Sequence, residues 1–304
     1  MRTRLPLALL CIASLVIAAR TLTAQDLGPH FQKIKEGIYV ERAQEANSYC
    51  GIILTKEGVV LVDSGHNPTD SREVLAAVKK LTPLPIRYLI NTEVHPDHTT
   101  GHFVFSPPTV IIAHEGTGEA MKKAFDPQRL AGLIKQAPEM AAAAQGYQLV
   151  TPQIEYRGKM TLHVGERTIE LINLHNVHSE ADTAVWLPQE RVIFSASVAI
   201  PKSFNNIRNF VTFPDMLAAI RMMKSLNPEV VVPGHGTPGT TQIFDENERL
   251  FTLLVDRVGK MVKEGKTLDQ IKQELKLPEY DDWAAKDRIP TNIEAAYRAV
   301  KAGG

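Results

Sequence analysis

The sequence is poor in cysteine. Only two of its 304 residues are cysteines, Cys11 and Cys50. Cys11 lies in an N-terminal apolar segment, and if that segment is cleaved the mature chain can form no intramolecular disulfide. Cys50 lies in an apolar stretch, residues 49–54, and is expected to be a small buried hydrophobic residue rather than a nucleophile. The fold must therefore be stabilised by its core without a covalent cross-link.

An excess of charge is also missing. Lys+Arg and Asp+Glu number 34 each, so the formal net charge is +0 with histidine neutral. No cluster of basic residues could follow a phosphate backbone, which excludes a nucleic-acid partner of the usual kind. The same balance indicates no funnel for an acidic substrate. The expected partner is a small-molecule substrate, and the sequence makes no prediction of an oligomeric state.

The N-terminus differs from the rest of the sequence. Two arginines precede an apolar run over residues 5–19, and small residues follow up to Ala24. This layout is typical of a secretory signal peptide, here residues 1–24 with cleavage after Ala24. An uncleaved membrane anchor is the alternative, but the run is shorter than the roughly 20 apolar residues that a spanning helix needs. We expect a periplasmic or secreted protein with no stable membrane insertion after cleavage.

Strand-like and helical patterns mix along the remaining residues, 25–304. The predicted strands are 37–41, 48–54, 59–62, 87–91, 109–113, 154, 161–164, 168–174, 183–187, 191–194 and 230–232. The predicted helices are 68–81, one that begins at Pro214, 240–263, 267–275 and 292–301. The Ala-rich residues 115–150 are also predicted to be helical and could form a lid. No low-complexity linker or repeat divides this region. One α/β domain with sheets covered by helices is the simplest interpretation.

Residues 91–102, NTEVHPDHTTGH, concentrate three histidines and two carboxylates directly after a predicted strand. Glu93 and His95 are two residues apart, so their side chains point the same way in an extended chain. Pro96 favours that extended conformation at His95. Asp97 and His98 follow where the chain turns. One loop therefore offers two pairs of ligands, as two adjacent metal ions require.

Two single histidines follow later strands. His178 lies in the segment 175–183, just after the predicted strand that ends at Leu174. His235 lies in Pro-Gly-His-Gly, residues 233–236, where the glycines allow a close approach of the backbone. Both positions suit residues that complete a site begun by the 91–102 loop.

This ordered set resembles the metallo-β-lactamase fold hydrolases. That family is marked by a His-x-His-x-Asp-His loop, a single downstream histidine and a final histidine in Pro-Gly-His. An aspartate at the end of an early strand also matches, here Asp63. The resemblance covers roughly residues 35–240. It implies a four-layer αββα sandwich, to which a helical C-terminal tail is added.

Two positions depart from the family pattern. Glu93 stands in place of the first histidine, and Ser197 stands where many members carry an aspartate that bridges both metals. A serine there resembles the third subclass of metallo-β-lactamases, in which the bridging aspartate is dispensable. Some members of that subclass also have a first ligand other than histidine.

The resemblance implies two zinc ions, with a single ion as the alternative. Glu93, His95 and His178 would hold the first zinc, and the second would be held by Asp97, His98 and His235. A carboxylate with two imidazoles is a familiar catalytic zinc set with one position open for water. A zinc-bound hydroxide would attack a cyclic amide or ester, and Asp97 would orient it. The leading named activity is β-lactam hydrolysis, followed by that of a lactonase or other esterase.

Other readings stay open. Two histidines and one carboxylate also suit non-haem iron, so a mononuclear iron oxidoreductase is a second class and a non-catalytic metal-binding protein is a third. Glu93 could instead be a carboxylate beside a single-metal site. Structural roles are expected for the remaining histidines, of which His66 and His175 lie near the predicted site. Residues that could contact the substrate follow Ser197: Asn205, Asn206 and Asn209.

The first testable prediction concerns Glu93. A glutamate in place of a neutral histidine makes the two-metal centre less positive by one charge. Because a less positive centre lowers the pKa of its water less, we expect activity at more alkaline pH than in an all-histidine site. Glu93→His should shift the acidic limb of the pH–rate profile to lower pH, and an unmoved profile would contradict this reasoning.

Overall fold

The computed structural model describes residues 26–42 and 47–302, so the predicted signal peptide, residues 1–24, lies outside the described residues. The strands are β1 Phe31–Lys35, β2 Ile38–Glu41, β3 Cys50–Thr55, β4 Gly58–Val62, β5 Ile86–Ile90, β6 Val110–His114, β7 Ile154–Tyr156, β8 Lys159–Val164, β9 Arg167–His175, β10 Asp182–Leu187, β11 Val192–Phe194 and β12 Val230–Val232. The α-helices are α1 Pro68–Leu81, α2 Pro96–Thr99, α3 His102–Phe105, α4 Thr117–Ala124, α5 Pro127–Gln136, α6 Met140–Ala143, α7 Phe213–Ser225, α8 Gln242–Lys263, α9 Leu268–Glu274 and α10 Ile289–Ala302. Short 3-10 turns lie at Ala196–Val198, Pro278–Tyr280 and Lys286–Arg288.

The strands form two sheets. The seven-stranded sheet has the order β1-β2-β3-β4-β5-β6-β7, and the five-stranded sheet has the order β12-β11-β10-β9-β8. β1 to β4 pair antiparallel through short connections, whereas β4 to β7 pair parallel. Parallel neighbours require a crossover, which α1 supplies between β4 and β5. In the second sheet only β11 and β12 are parallel.

The two sheets pack face to face over one apolar core. Because side chains alternate along a strand, Val60 and Val62 of β4 face the second sheet while Leu61 faces away from it. Ile53 and Ile52 of β3 divide in the same way. The second sheet completes this core with Val164, Ile169, Leu171, Val185, Leu187, Val192, Phe194 and Val232.

Helices cover the outer face of each sheet. α1 and α3 pack on the seven-stranded sheet, where Val74 and Phe103 join the residues that face away from the core between the sheets. α7, α8 and α10 pack on the five-stranded sheet, where Trp186, Phe251 and Ile293 belong to one buried apolar cluster. The order helix, sheet, sheet, helix confirms the predicted four-layer αββα sandwich, and the predicted helical C-terminal tail is part of its outer layer.

Most predicted elements are present, with differences at the chain ends. β1 was missed because it is a half-exposed edge strand, Phe31–Lys35, without clear alternation. The last helix begins at Ile289, before the predicted start at Asn292. α9 begins with a capping box formed by Thr267 and Gln270. Within the part of the chain that the structure describes, no helix is long and apolar enough to span a membrane.

The helical layer is expected to carry much of the stability. Phe251 is fully buried and stacks on Phe213 with ring centroids 4.7 Å apart. Phe251→Ala should lower the free energy of unfolding by about 3–5 kcal/mol, because it leaves a cavity in the core. Chemical denaturation measures this change. Phe210→Ala, at a half-exposed phenylalanine, is the matched control and should change stability by less than about 0.5 kcal/mol.

Candidate metal centre

The ends of five strands converge at one edge of the sandwich. Asp63 directly follows β4, and the loop that carries Glu93 follows β5. His178, Ser197 and His235 come shortly after β9, β11 and β12. Loops at strand ends carry functional groups on a rigid scaffold. The fold thus assembles residues that are far apart in the sequence.

The first predicted ligand set is brought together. Ligand atoms of Glu93, His95 and His178 all lie within 4.8 Å of one another. The Glu93 carboxylate is only 1% exposed; its Oε2 contacts His95 Nδ1 and lies 3.4 Å from His178 Nε2. The two imidazoles meet edge to face, with centroids 4.9 Å apart. This carboxylate and these two imidazoles converge on one point.

The second predicted set is also formed, directly beside the first. Asp97, His98 and His235 have ligand atoms within 4.8 Å of one another. Asp97 Oδ2 lies 3.3 Å from His235 Nε2 and 3.8 Å from His98 Nε2. Glu93 Oε1 is 3.4 Å from His98 Nε2, so the two sets share a border. The structure therefore brings all six predicted ligands together.

Ser197 has a role that the sequence did not reveal. Its Oγ donates a hydrogen bond of 2.6 Å to Glu93 Oε1, and its backbone N–H donates to the same oxygen at 3.1 Å. Gly234 of the Pro-Gly-His segment packs against this serine: a Cβ at Gly234 would lie 2.2 Å from Ser197 Oγ. The serine at the predicted bridging position thus holds the glutamate at the predicted first-ligand position.

Asp63 orients His98. Its Oδ2 accepts from His98 Nδ1 at 2.9 Å, and the carboxylate also accepts from Thr92 N at 2.7 Å and from Thr92 Oγ1 at 2.6 Å. His98 Nε2 is buried and has no hydrogen-bond partner among the described residues. A histidine fixed through one nitrogen, with the other aimed at neighbouring carboxylates, has the arrangement of a metal ligand.

Asp182 fixes the loop that carries His178, a role that sequence reasoning missed. This fully buried carboxylate accepts from the backbone N–H groups of Val177 at 2.9 Å, His178 at 2.7 Å and Ser179 at 2.9 Å. In the sequence, the only indication of this role was that Asp182 follows His178 closely, at the start of the next strand. Such a carboxylate can close a tight turn by accepting several N–H groups.

The charges of the cluster favour a cation. Burial raises the pKa of Glu93, but His98 and His178 lower it more, and the pKa lies well below the usual range of a glutamate. Burial lowers the pKa of His98, whereas Glu93, Asp63 and Asp97 raise it to about 10. The Glu93 carboxylate therefore stays negative at neutral pH and pairs with either a protonated His98 or a divalent metal.

A cavity of about 860 Å³ opens over the two sets. His95, Asp97, His178 and His235 line it, together with four basic residues: Arg129, Lys202, Arg208 and Arg288. Among the described residues, Asp282 is the only other acidic residue of the lining, and it pairs with Lys202. The balanced net charge did not indicate this basic lining, because net charge averages over the whole surface while the lining residues come from distant segments.

Only some of the other residues predicted near the site line the cavity. His66, Asn205 and Asn206 line the cavity, whereas Asn209 and His175 do not. Asn205 is fully buried and donates to the Ser197 carbonyl at 2.7 Å, so its role is to hold that loop.

Two further features lie outside the cavity. The buried Cys50 confirms its expected structural role. Three other residues, His30, Glu41 and Glu73, also have ligand atoms within 4.8 Å of one another, but none of them lines the cavity.

The support given by Asp63 can be measured. Asp63→Asn places an amide nitrogen against either His98 Nδ1 or the Thr92 N–H, so one hydrogen bond becomes a clash of two donors. Loss of such a partner weakens metal affinity by about 10–100-fold. Zinc titration in competition with a chromophoric chelator measures the change. Asp269→Asn, on the exposed surface, should leave the affinity unchanged.

Comparison with known proteins gives distant relatives. A "Linear primary-alkylsulfatase" from a Pseudomonas species is 23% identical over 269 residues, covering 75% of this chain and 49% of that protein. A "Metallo-beta-lactamase type 2" from a Bacillus species is 26% identical over 194 residues, covering 62% of this chain and 67% of that protein. The chain thus spans about half the length of the alkylsulfatase.

A solved structure shows the same fold. The stereoselective inverting sec-alkylsulfatase Pisa1 from a Pseudomonas species superposes with a TM-score of 0.68 at 18% identity, covering 88% of this chain and 49% of that one. The hydrolase names of the sequence relatives support the predicted enzyme class. The family model of the metallo-beta-lactamase superfamily matches residues 44–235, which is more than half of the chain. The chain therefore belongs to the metallo-beta-lactamase superfamily.

Proposed function

We propose that this chain is a zinc-dependent hydrolase with two adjacent zinc ions that acts on a small anionic amide or ester. The observation that carries this proposal is the pair of three-residue ligand sets at the floor of a cavity lined by basic side chains. Each set combines one carboxylate with two imidazoles, the donors that zinc prefers in catalytic sites.

The residues present fit a two-metal centre. Glu93, His95 and His178 would hold the first ion, and the second would be held by Asp97, His98 and His235. The orphaned His98 Nε2, buried between two carboxylates, is the atom that most clearly needs a cation. Bound there, zinc would lower the pKa of water to about 7 and stabilise negative charge that develops on the substrate.

The residues of the chain position the reaction. Asp97 lines the cavity and is the carboxylate placed to orient the attacking water. Ser197 and Asp63 hold Glu93 and His98 from behind, so neither ligand can turn away when the substrate enters. Positioning of this kind supplies much of the rate enhancement of a hydrolase, because the reacting groups are already aligned.

Basic residues around the cavity favour an anionic substrate. Arg129, Arg208 and Arg288 come from three separate segments and line the same space as the two ligand sets. A β-lactam carries a carboxylate beside its amide ring and is the leading substrate, supported by the metallo-beta-lactamase relative. The alkylsulfatase relative supports a second candidate, a sulfate ester, whose charged group would meet the same arginines. A lactone lacks such a charge and ranks below both.

The other function classes have less support. An iron oxidoreductase would use Glu93, His95 and His178 alone, and it leaves the complete second set without a purpose. A non-catalytic binder leaves the large cavity beside the metals unexplained. The resemblance to the third subclass of metallo-β-lactamases is proposed on the basis of Ser197. Export to the periplasm or beyond is proposed on the sequence pattern of residues 1–24.

Metal content and a hydrolysis panel test the function. The purified protein should contain two zinc ions per chain and hydrolyse a β-lactam or an alkyl sulfate faster than a lactone or a phosphodiester. Asp97→Ala should lower kcat/KM by about 10²–10⁴-fold, the contribution of a group that directs proton transfer or the nucleophile. Asp269→Ala, at an exposed position, should keep full activity.

Three outcomes would overturn the proposal. One iron per chain would favour the oxidoreductase, and two zinc ions without turnover of any panel member would favour the binder. Full activity of Asp97→Ala would remove the proposed role of that carboxylate.

A further inference from the structure

Arg208 contacts a ligand of the first set directly. Its Nη2 lies 2.9 Å from His95 Nε2, and its Nη1 donates to the Asn206 carbonyl at 3.3 Å. Arg298 in α10 donates to the Arg208 carbonyl at 3.4 Å and to the Val211 carbonyl at 3.2 Å, which holds this loop over the site. The Arg208 guanidinium is therefore hydrogen-bonded to Nε2 of the His95 ring.

The chemistry of the two groups fixes the direction of this hydrogen bond. A guanidinium carries five N–H donors and no acceptor, so His95 Nε2 must accept. A ring that accepts at Nε2 carries its proton on Nδ1, where it donates to Glu93 Oε2. A neutral imidazole has only one lone pair. In this structure Arg208 uses that lone pair.

A metal ion needs the same lone pair. Histidine binds metal as the neutral ring through an unprotonated nitrogen. If the metal takes Nδ1, the proton moves to Nε2 and faces an Arg208 donor. If the metal takes Nε2, it replaces Arg208 outright. In both cases the hydrogen bond between Arg208 and His95 must break before His95 can be a ligand.

We propose that Arg208 competes with the metal for His95, so that the first set binds its ion only when the guanidinium releases the ring. This inference depends on the metal centre proposed above. It makes the Glu93–His95–His178 set the weaker of the two. In the second set, His98 is held by the Asp63 carboxylate instead.

One further consequence follows from the position of Arg208. Arg208 also lines the cavity, so a released guanidinium stays where an anionic substrate binds. Occupation of the first set would therefore free this guanidinium to bind an anionic substrate.

The sign of the effect of a substitution separates this proposal from a supporting role. Removal of a residue that supports a metal-binding histidine weakens metal affinity. Removal of a residue that competes with the metal strengthens metal affinity. Arg208→Met keeps the apolar stem and removes every donor, so the weaker of two zinc-binding steps should tighten by about 10–100-fold, as expected for loss of one hydrogen bond to a charged group. Arg208→Ala is the second variant if the methionine side chain disturbs the loop.

Stepwise Zn²⁺ titration of the full protein against a chromophoric chelator is the experiment. His178→Ala identifies the first set, because that variant should lose the weaker step and keep the stronger one. Arg288→Ala removes an equal charge from the same cavity without touching a histidine, since Arg288 donates to the Phe204 carbonyl. It should tighten the weaker step by less than about threefold, because salt screens a charge that faces the open cavity.

The outcomes distinguish failure of the competition by Arg208 from failure of the two-metal centre. A weaker step that Arg208→Met leaves unchanged or weakens further overturns the competition and leaves the two-metal centre standing. Equal tightening by Arg288→Ala reduces the effect to charge alone and also overturns direct competition. Loss of neither step in His178→Ala, or no zinc binding at all, instead contradicts the metal centre itself. In ¹H–¹⁵N spectra of the protein before zinc is added, the His95 proton should lie on Nδ1, and a proton on Nε2 would contradict the proposed contact.

Discussion

The site depends on one buried negative charge, the carboxylate of Glu93. A carboxylate that is 1% exposed is costly to remove from water unless it is paired and hydrogen-bonded. Here one oxygen accepts twice from Ser197 and the other meets His95, while His178 lies 3.4 Å away. Removing any one of these partners would leave the buried charge less compensated, so the surrounding loops must lie where they can supply them.

The sandwich makes this cluster possible because residues outside the cluster hold its ligands in place. Asp63 and Asp182 are themselves buried acceptors, one holding His98 and the other the loop of His178. Both lie where strands begin or end, so the rigid core between the sheets determines where the loops are. The result is a cluster of negative and imidazole groups that a metal, and no apolar ligand, can complete.

The sequence predicted the fold and the six residues that the structure brings together. Strand periodicity and helix patterning are local, and four of the six residues lie within one loop. His178 and His235 were added by their positions after strands and by the resemblance to the family. Contacts between distant segments could not be predicted in this way. Ser197 and Glu93 are 104 residues apart, and Arg208 and His95 are 113 apart, so no periodic pattern joins them. The basic lining of the cavity was hidden for the same reason, since balanced composition conceals local charge.

The central claim is that Glu93 is a metal ligand within a two-metal centre. Anomalous diffraction from crystals of the zinc-loaded protein, recorded at the zinc absorption edge, tests it most directly. The account predicts two peaks, with one at about 2.0–2.2 Å from a Glu93 oxygen, the distance typical of zinc and carboxylate. A single peak, bound by Asp97, His98 and His235 alone while Glu93 remains paired with His95 and Ser197, would contradict it.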